Sequence, residues 1–165
     1  MRKFIAIIGS KNFGKSTIIQ SLTGCPTKIY RGFVVGKDPD NSIFVVASSP
    51  EETPITVTEL RSILSKSTRN SRCSGVVMAI QPTHPTKRLA LEDIFRIVQD
   101  TGRFTSFGFI LHPGYNNGDE NVREIQQRLR NTHVQLRVLD ARRFAYLNAT
   151  EVQSITKIFR RGRRR

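Results

Sequence analysis

Tryptophan is absent from the 165 residues, cysteine occurs only twice, and 13 acidic residues face 27 lysines and arginines. Each shortage excludes something. Cys25 and Cys73 have neither a paired spacing nor attendant histidines, so no disulfide framework or zinc site follows from them, and a reducing, cytoplasmic setting is expected. No stretch approaches the ~20 apolar residues of a membrane helix, and the opening run Ile5-Ala6-Ile7-Ile8 is too short for the core of a signal peptide. The histidines His84, His112 and His133 lack metal-ligand spacing, and no Ser-His-Asp or Cys-His arrangement can be assembled. Glu92 and Asp93 are neighbours on an expected helix and do not face each other as a catalytic pair of acids.

What is present is enough for one folded domain. Hydrophobic residues at 38% and charged residues at 24% belong to a chain that buries a core. The length suits one domain over 1–159 and an arginine-rich tail over 160–165. The tail carries Arg160, Arg161, Arg163, Arg164 and Arg165, yet setting these five aside lowers the net charge only from +14 to +9. A field of that sign draws nucleic acid, an anionic membrane surface or acidic proteins, or is simply a solvated basic surface. No aromatic residue is interleaved with the tail arginines, which argues against a stacking platform for single strands; nucleic-acid phosphates, anionic headgroups or a plain solubilising tail are the readings that stand.

Short apolar runs recur at Phe4–Ile8, Ile43–Val46, Gly75–Ile80, Phe107–Leu111 and Val134–Leu139, the pattern of strands buried on both faces in a parallel sheet. Helical spacing lies between them at Ser16–Leu22, Val57–Leu64, Leu89–Gln99, Asn121–Leu129 and Val152–Phe159. The alternation predicts a three-layer α/β fold. Ile29–Val35 and Ile43–Val46 are separated only by the turn-rich Gly36-Lys37-Asp38-Pro39-Asp40-Asn41-Ser42, which predicts a hairpin and one antiparallel edge strand.

The sharpest motif is Gly9-Ser10-Lys11-Asn12-Phe13-Gly14-Lys15-Ser16, the full G-x-x-x-x-G-K-[ST] phosphate-loop pattern between a strand and a helix. The spacing has a chemical reason. Gly9 and Gly14 let the backbone curl so that its N–H groups point inward at a phosphate, and the helix opening at Lys15, Ser16 and Thr17 adds its dipole. Lys15 reaches the β- and γ-phosphates as the catalytic cation, and the Ser16 hydroxyl takes Mg²⁺.

From this loop onward the chain resembles the Ras-like GTPases, in particular the septin, Toc and GIMAP-type branch. The phosphate-loop strand, the hairpin and the strand-helix units follow in the same order. The helix Leu60–Ser67, the strand Ser74–Ile80, the Thr86-Lys87-Arg88-Leu89-Ala90-Leu91-Glu92-Asp93-Ile94 segment and Thr101-Gly102 are similar to the family's central units. Val138-Leu139-Asp140-Ala141-Arg142 stands where the family carries its base-contacting turn, and Glu151-Val152-Gln153-Ser154-Ile155 where its last helix begins. The resemblance implies a P-loop NTPase of the Ras-like class, a mostly parallel sheet with one antiparallel edge strand, and base contacts from His112, Asp140 and Ala141. It also implies a homodimer or a homologous GTPase-like partner, because such families pair through the nucleotide-binding face.

Two departures limit what is carried over. Where the family has Asp-Thr-Pro-Gly, this chain has Ser48-Ser49-Pro50-Glu51, so the metal-supporting carboxylate is missing and Glu51 or Glu52 is the nearest substitute. Where the family's guanine-reading aspartate falls, the stretch His112-Pro113-Gly114-Tyr115 has a tyrosine, and guanine preference does not follow. Asn116, Asn117 and Asp119 offer other polar contacts, or simply a turn. For orienting a hydrolytic water the chain offers only Gln81 and His84, the latter between two prolines.

The expectation is therefore a protein that binds GTP/GDP or ATP/ADP and acts as a low-activity or degenerate GTPase-like switch. Two alternatives stand beside it: a competent ATPase or kinase of another P-loop class, and a non-catalytic scaffold that holds nucleic acid or an anionic surface.

Overall fold

Strand β1, Arg2–Ile8, runs through the interior of a six-stranded sheet, and its unbroken apolar character is the reason. Phe4, Ala6 and Ile8 enter one buried cluster, while Ile5 and Ile7 enter the other on the opposite face. A strand covered on both sides has no polar face to alternate. These coordinates come from a computed structural model, which describes residues 1–50, 52–82, 89–112 and 122–159.

After β1 come α1 (Lys15–Thr23), the hairpin β2 (Arg31–Val35) and β3 (Ser42–Val46), then α2 (Val57–Arg69) and β4 (Cys73–Ile80). The chain continues through α3 (Leu91–Asp100), β5 (Phe104–His112), α4 (Val122–Arg128), β6 (Gln135–Asp140) and α5 (Ala145–Thr156). The sheet order is β2-β3-β4-β1-β5-β6, with β2 antiparallel to β3 at one edge and all other neighbours parallel. The expected α/β architecture with one antiparallel edge strand is thus present. One feature of the order was not legible in the apolar runs: β4 lies between β1 and β3.

The helices divide between the two faces. Ile18 and Ile19 of α1 and Ala149 and Val152 of α5 pack on the face of Ile5 and Ile7. Leu60, Ile63 and Leu64 of α2, Ile94, Phe95 and Val98 of α3 and Ile125 of α4 cover the face of Phe4 and Ile8. Phe4 and Phe95 meet edge to face at 5.7 Å, and Phe33 and Phe44 meet likewise at 5.0 Å. Both cysteines are buried and free, and burial pushes the Cys73 thiol up despite a bond to the Gly75 carbonyl. No helix among the described residues is long and apolar enough to cross a membrane.

Helix ends follow local chemistry. In α2 the Thr56 hydroxyl accepts from the Glu59 N–H at 3.1 Å and the Glu59 carboxylate accepts from the Thr56 N–H at 3.1 Å, a complete capping box. Helix α1 stops at Gly24, which adopts φ 72° and donates its N–H to the Gln20 carbonyl. Helix α5 spans Ala145–Thr156, whereas the apolar spacing suggested Val152–Phe159 and the resemblance a start at Glu151. Its buried stripe starts with a polar residue, Asn148, whose side chain donates to the Asp140 carbonyl and accepts from Arg143.

Candidate functional site

The segment Gly9–Ser16 leaves the carboxyl end of β1 in the interior of the sheet and turns directly into α1, the context its sequence pattern requires. The backbone alternates hands there: Asn12 has φ 67° and Gly14 has φ 86°. Left-handed residues spaced in this way curl successive N–H groups to one side and form an anion-binding nest. Glycine accommodates that conformation without strain at 14, the residue immediately before the helix.

Position 14 is also the N-cap of α1, and it contributes no side-chain cap; the first turn contains no acidic residue. The opening of α2, by contrast, is closed by Thr56 and Glu59, and at α3 the Asp93 carboxylate accepts from the Ala90 N–H. A helix opening with a glycine cap and no carboxylate leaves the dipole for an external anion. Lys15 is 4% exposed, and its ammonium donates to the Ser10 carbonyl at 2.7 Å, so the cation is folded over the loop it follows. The Phe13 N–H also donates to the Ser10 carbonyl, and Phe13 sits in the buried cluster with Ala141 and Ala149.

Neighbouring strands brace the loop. The Gly9 N–H donates to the Ile80 carbonyl at 3.1 Å, which places the end of β4 and the following Gln81 beside the loop. The Ser16 hydroxyl donates to the Ala47 carbonyl at 2.7 Å, tying α1 to the end of β3. Next along the chain, Ser48 donates to the Thr53 hydroxyl at 2.8 Å, and Ser49 is fully buried, its hydroxyl without a partner among the described residues. The Ala47 contact carried no sequence signal, because every residue has a carbonyl.

His112 and Asp140 pair across β5 and β6 at the same sheet edge, and the Ala141 N–H donates to the His112 carbonyl at 3.2 Å. The three expected base-contacting residues therefore stand together. His112 is exposed. The Asp140 carboxylate is held by Arg142, through its backbone N–H at 2.9 Å and its guanidinium at 3.1 Å, which keeps the Asp140 carboxyl below its usual range. Glu51, His84, the segment Pro113-Gly114-Tyr115 with Asn116, Asn117 and Asp119, and the arginines 160–165 lie outside the described residues. Glu52 is exposed, and its N–H donates to the Ser49 carbonyl.

The outer loops of this edge are gathered by Arg128 at the end of α4. Its guanidinium donates to both oxygens of Glu92, at 3.0 and 2.7 Å, and to the Pro82 carbonyl at 2.7 Å, linking α4, α3 and the exit of β4. Burial would raise the Glu92 carboxyl, but the hydrogen bonds and charge of Arg128 outweigh it and hold the group below the usual range. A depressed folded value means that the pair stabilises the fold above the unfolded carboxyl value and loses that contribution as pH falls through the folded one. Glu92→Gln is expected to cost about 1–2 kcal/mol at neutral pH, between the values for buried and surface pairs because solvent reaches this one. Urea melts at pH 7 and near pH 3 check it: the gap between wild type and variant should close on the acid side.

A broad groove of about 1300 Å³ opens at the opposite edge of the sheet, beside Arg2, Lys3, Arg72 and Lys157. Two of its cations are engaged: Arg72 lies 3.4 Å from Asp40, and Lys3 donates to the Lys157 carbonyl. In open α/β sheets ligands bind at the carboxyl ends of the strands, which favours the Gly9–Ser16 edge over this groove.

A scan against models of protein families and a search of curated proteins each find no match to the chain.

Proposed function

We propose that the chain binds a nucleoside di- or triphosphate through Gly9–Thr17 and acts as a nucleotide-responsive protein with little or no hydrolysis of its own. The carrying observation is the helix opening at Gly14. A left-handed glycine cap, a first turn without acids and the buried Lys15 ammonium converge at one point. A phosphate suits all three. Hydrolysis needs more: a group that orients water and a way to neutralise the γ-phosphate. Lys15 supplies part of the second, and for the first the chain offers Gln81, which follows the Ile80 that the loop contacts.

The strand order favours a particular version of this reading. Ras-like GTPases set the phosphate-loop strand directly beside the strand that follows the hairpin, whereas β4 separates β1 from β3 here. That difference favours a P-loop class other than the Ras-like GTPases, within which adenine and guanine nucleotides are equal candidates.

Calorimetric titration with GDP, GTP, ADP and ATP tests the proposal, with inorganic tripolyphosphate as competitor. Micromolar binding displaced by tripolyphosphate supports it. Failure of all four nucleotides to bind overturns it and moves attention to the basic surface.

A further inference from the structure

Taking the nucleotide reading as its basis, the geometry points to a phosphate site that works without a divalent cation. The resemblance implies Mg²⁺, with Ser16 as ligand and a carboxylate at the end of β3 behind it. Among the described residues the donors there do not fit that ion. Ser16 donates to a neutral carbonyl, Ala47, and after Ala47 come two hydroxyl side chains, Ser48 on Thr53 and Ser49 with no partner among the described residues. Among the described residues no group of three or more His, Cys, Asp or Glu side chains stands together to hold a metal. Mg²⁺ prefers hard, charged oxygen in octahedral geometry, and a hydroxyl set of this kind holds it weakly.

The same set suits an anion. A hydroxyl rotates to donate wherever an acceptor appears. Ser49 is fully buried, and its oxygen has no partner among the described residues, an unfavourable state that a ligand oxygen relieves. It lies two residues beyond Ala47, so at most ~7 Å of chain separates it from the carbonyl that anchors Ser16. With the Lys15 ammonium and the helix opening supplying positive potential, the preferred ligand is the metal-free nucleotide, and Ser49 donates to its phosphate.

Titration with ATP, ADP, GTP and GDP, in excess Mg²⁺ and again in EDTA, tests this on wild type and Ser49→Ala. The dissociation constants in the two media should agree within about threefold, and Ser49→Ala should weaken binding about five- to tenfold in both. The unliganded melting temperature of Ser49→Ala should equal or exceed that of wild type, because an orphaned hydroxyl is removed. A wild-type loss of about tenfold or more in EDTA overturns the inference while leaving nucleotide binding intact. Unchanged binding by Ser49→Ala overturns the role given to Ser49. Absence of binding in both media overturns the underlying reading as well. If the variant fails to fold, the wild-type comparison still decides the question of the metal.

Discussion

Gly75→Ala should unfold about 3 kcal/mol or more below wild type, because the added methyl group has nowhere to go. Gly75 lies in β4 and pairs with Lys3 of β1 on one side and Ile43 of β3 on the other. A Cβ at this position would collide with the Lys3 carbonyl oxygen and lie 2.9 Å from its carbon and 3.0 Å from its nitrogen. These are backbone atoms, which cannot rotate aside as a side chain can. Relief requires moving β1, which is held by β4 on one flank and β5 on the other and covered on both faces. Overpacking a core ordinarily costs 1–3 kcal/mol, and a rigid obstacle places this site at or above the upper end. For a domain of this size the melting temperature should fall by roughly 6–12 °C. Gly102→Ala is the control: its φ of 61° carries strain, but no atom lies within 4 Å, so about 1 kcal/mol is expected. Equal melts for Gly75→Ala and wild type would mean that β1 and β4 do not approach as described.

The same crowded centre shows what the sequence could reveal and what it could not. Apolar runs identified β1, β3, β4 and β5 because each must shed water on both faces, and the turn residues 36–42 identified the hairpin. Neighbour order is another matter. Strands β1 and β3 and most of β4 are buried alike, and nothing in an apolar run says which of them pairs with which. The insertion of β4 between β1 and β3 shows in the interstrand registry, such as Lys3 against Gly75, and not in hydropathy. Asn148 hid the start of α5 for a related reason: a polar residue on the buried stripe, satisfied by Asp140 and Arg143, breaks the apolar period while keeping the helix.

The candidate site divides in the same way. Its loop was legible because glycine, lysine and serine are each required for a chemical reason at a set spacing. Its surroundings were not. Ser16 is anchored by a main-chain oxygen, and the isolation of Ser49 is a property of what fails to surround it. The absence of the aspartate at 48 was visible; that its place is filled by a Ser48–Thr53 hydroxyl pair needed coordinates.

Lys15→Ala should lower nucleotide affinity by roughly 100- to 1000-fold while leaving the fold intact. A hydrogen bond to a charged group contributes about 1.5–3 kcal/mol, and a lysine spanning two phosphates makes more than one, so about 3–4 kcal/mol is at stake. The side chain is only 4% exposed, which keeps water from screening the interaction. In the free protein the ammonium rests on the Ser10 carbonyl at 2.7 Å, so binding exchanges a neutral acceptor for a charged one within the same loop. Lys15→Arg should not restore affinity, since a planar fork cannot occupy the position of a compact ammonium inside a closed turn. Titration of both variants beside thermal melts separates loss of the site from loss of the fold. Wild-type affinity in Lys15→Ala would place the nucleotide elsewhere, and the Gly14 helix opening would then be a structural turn alone.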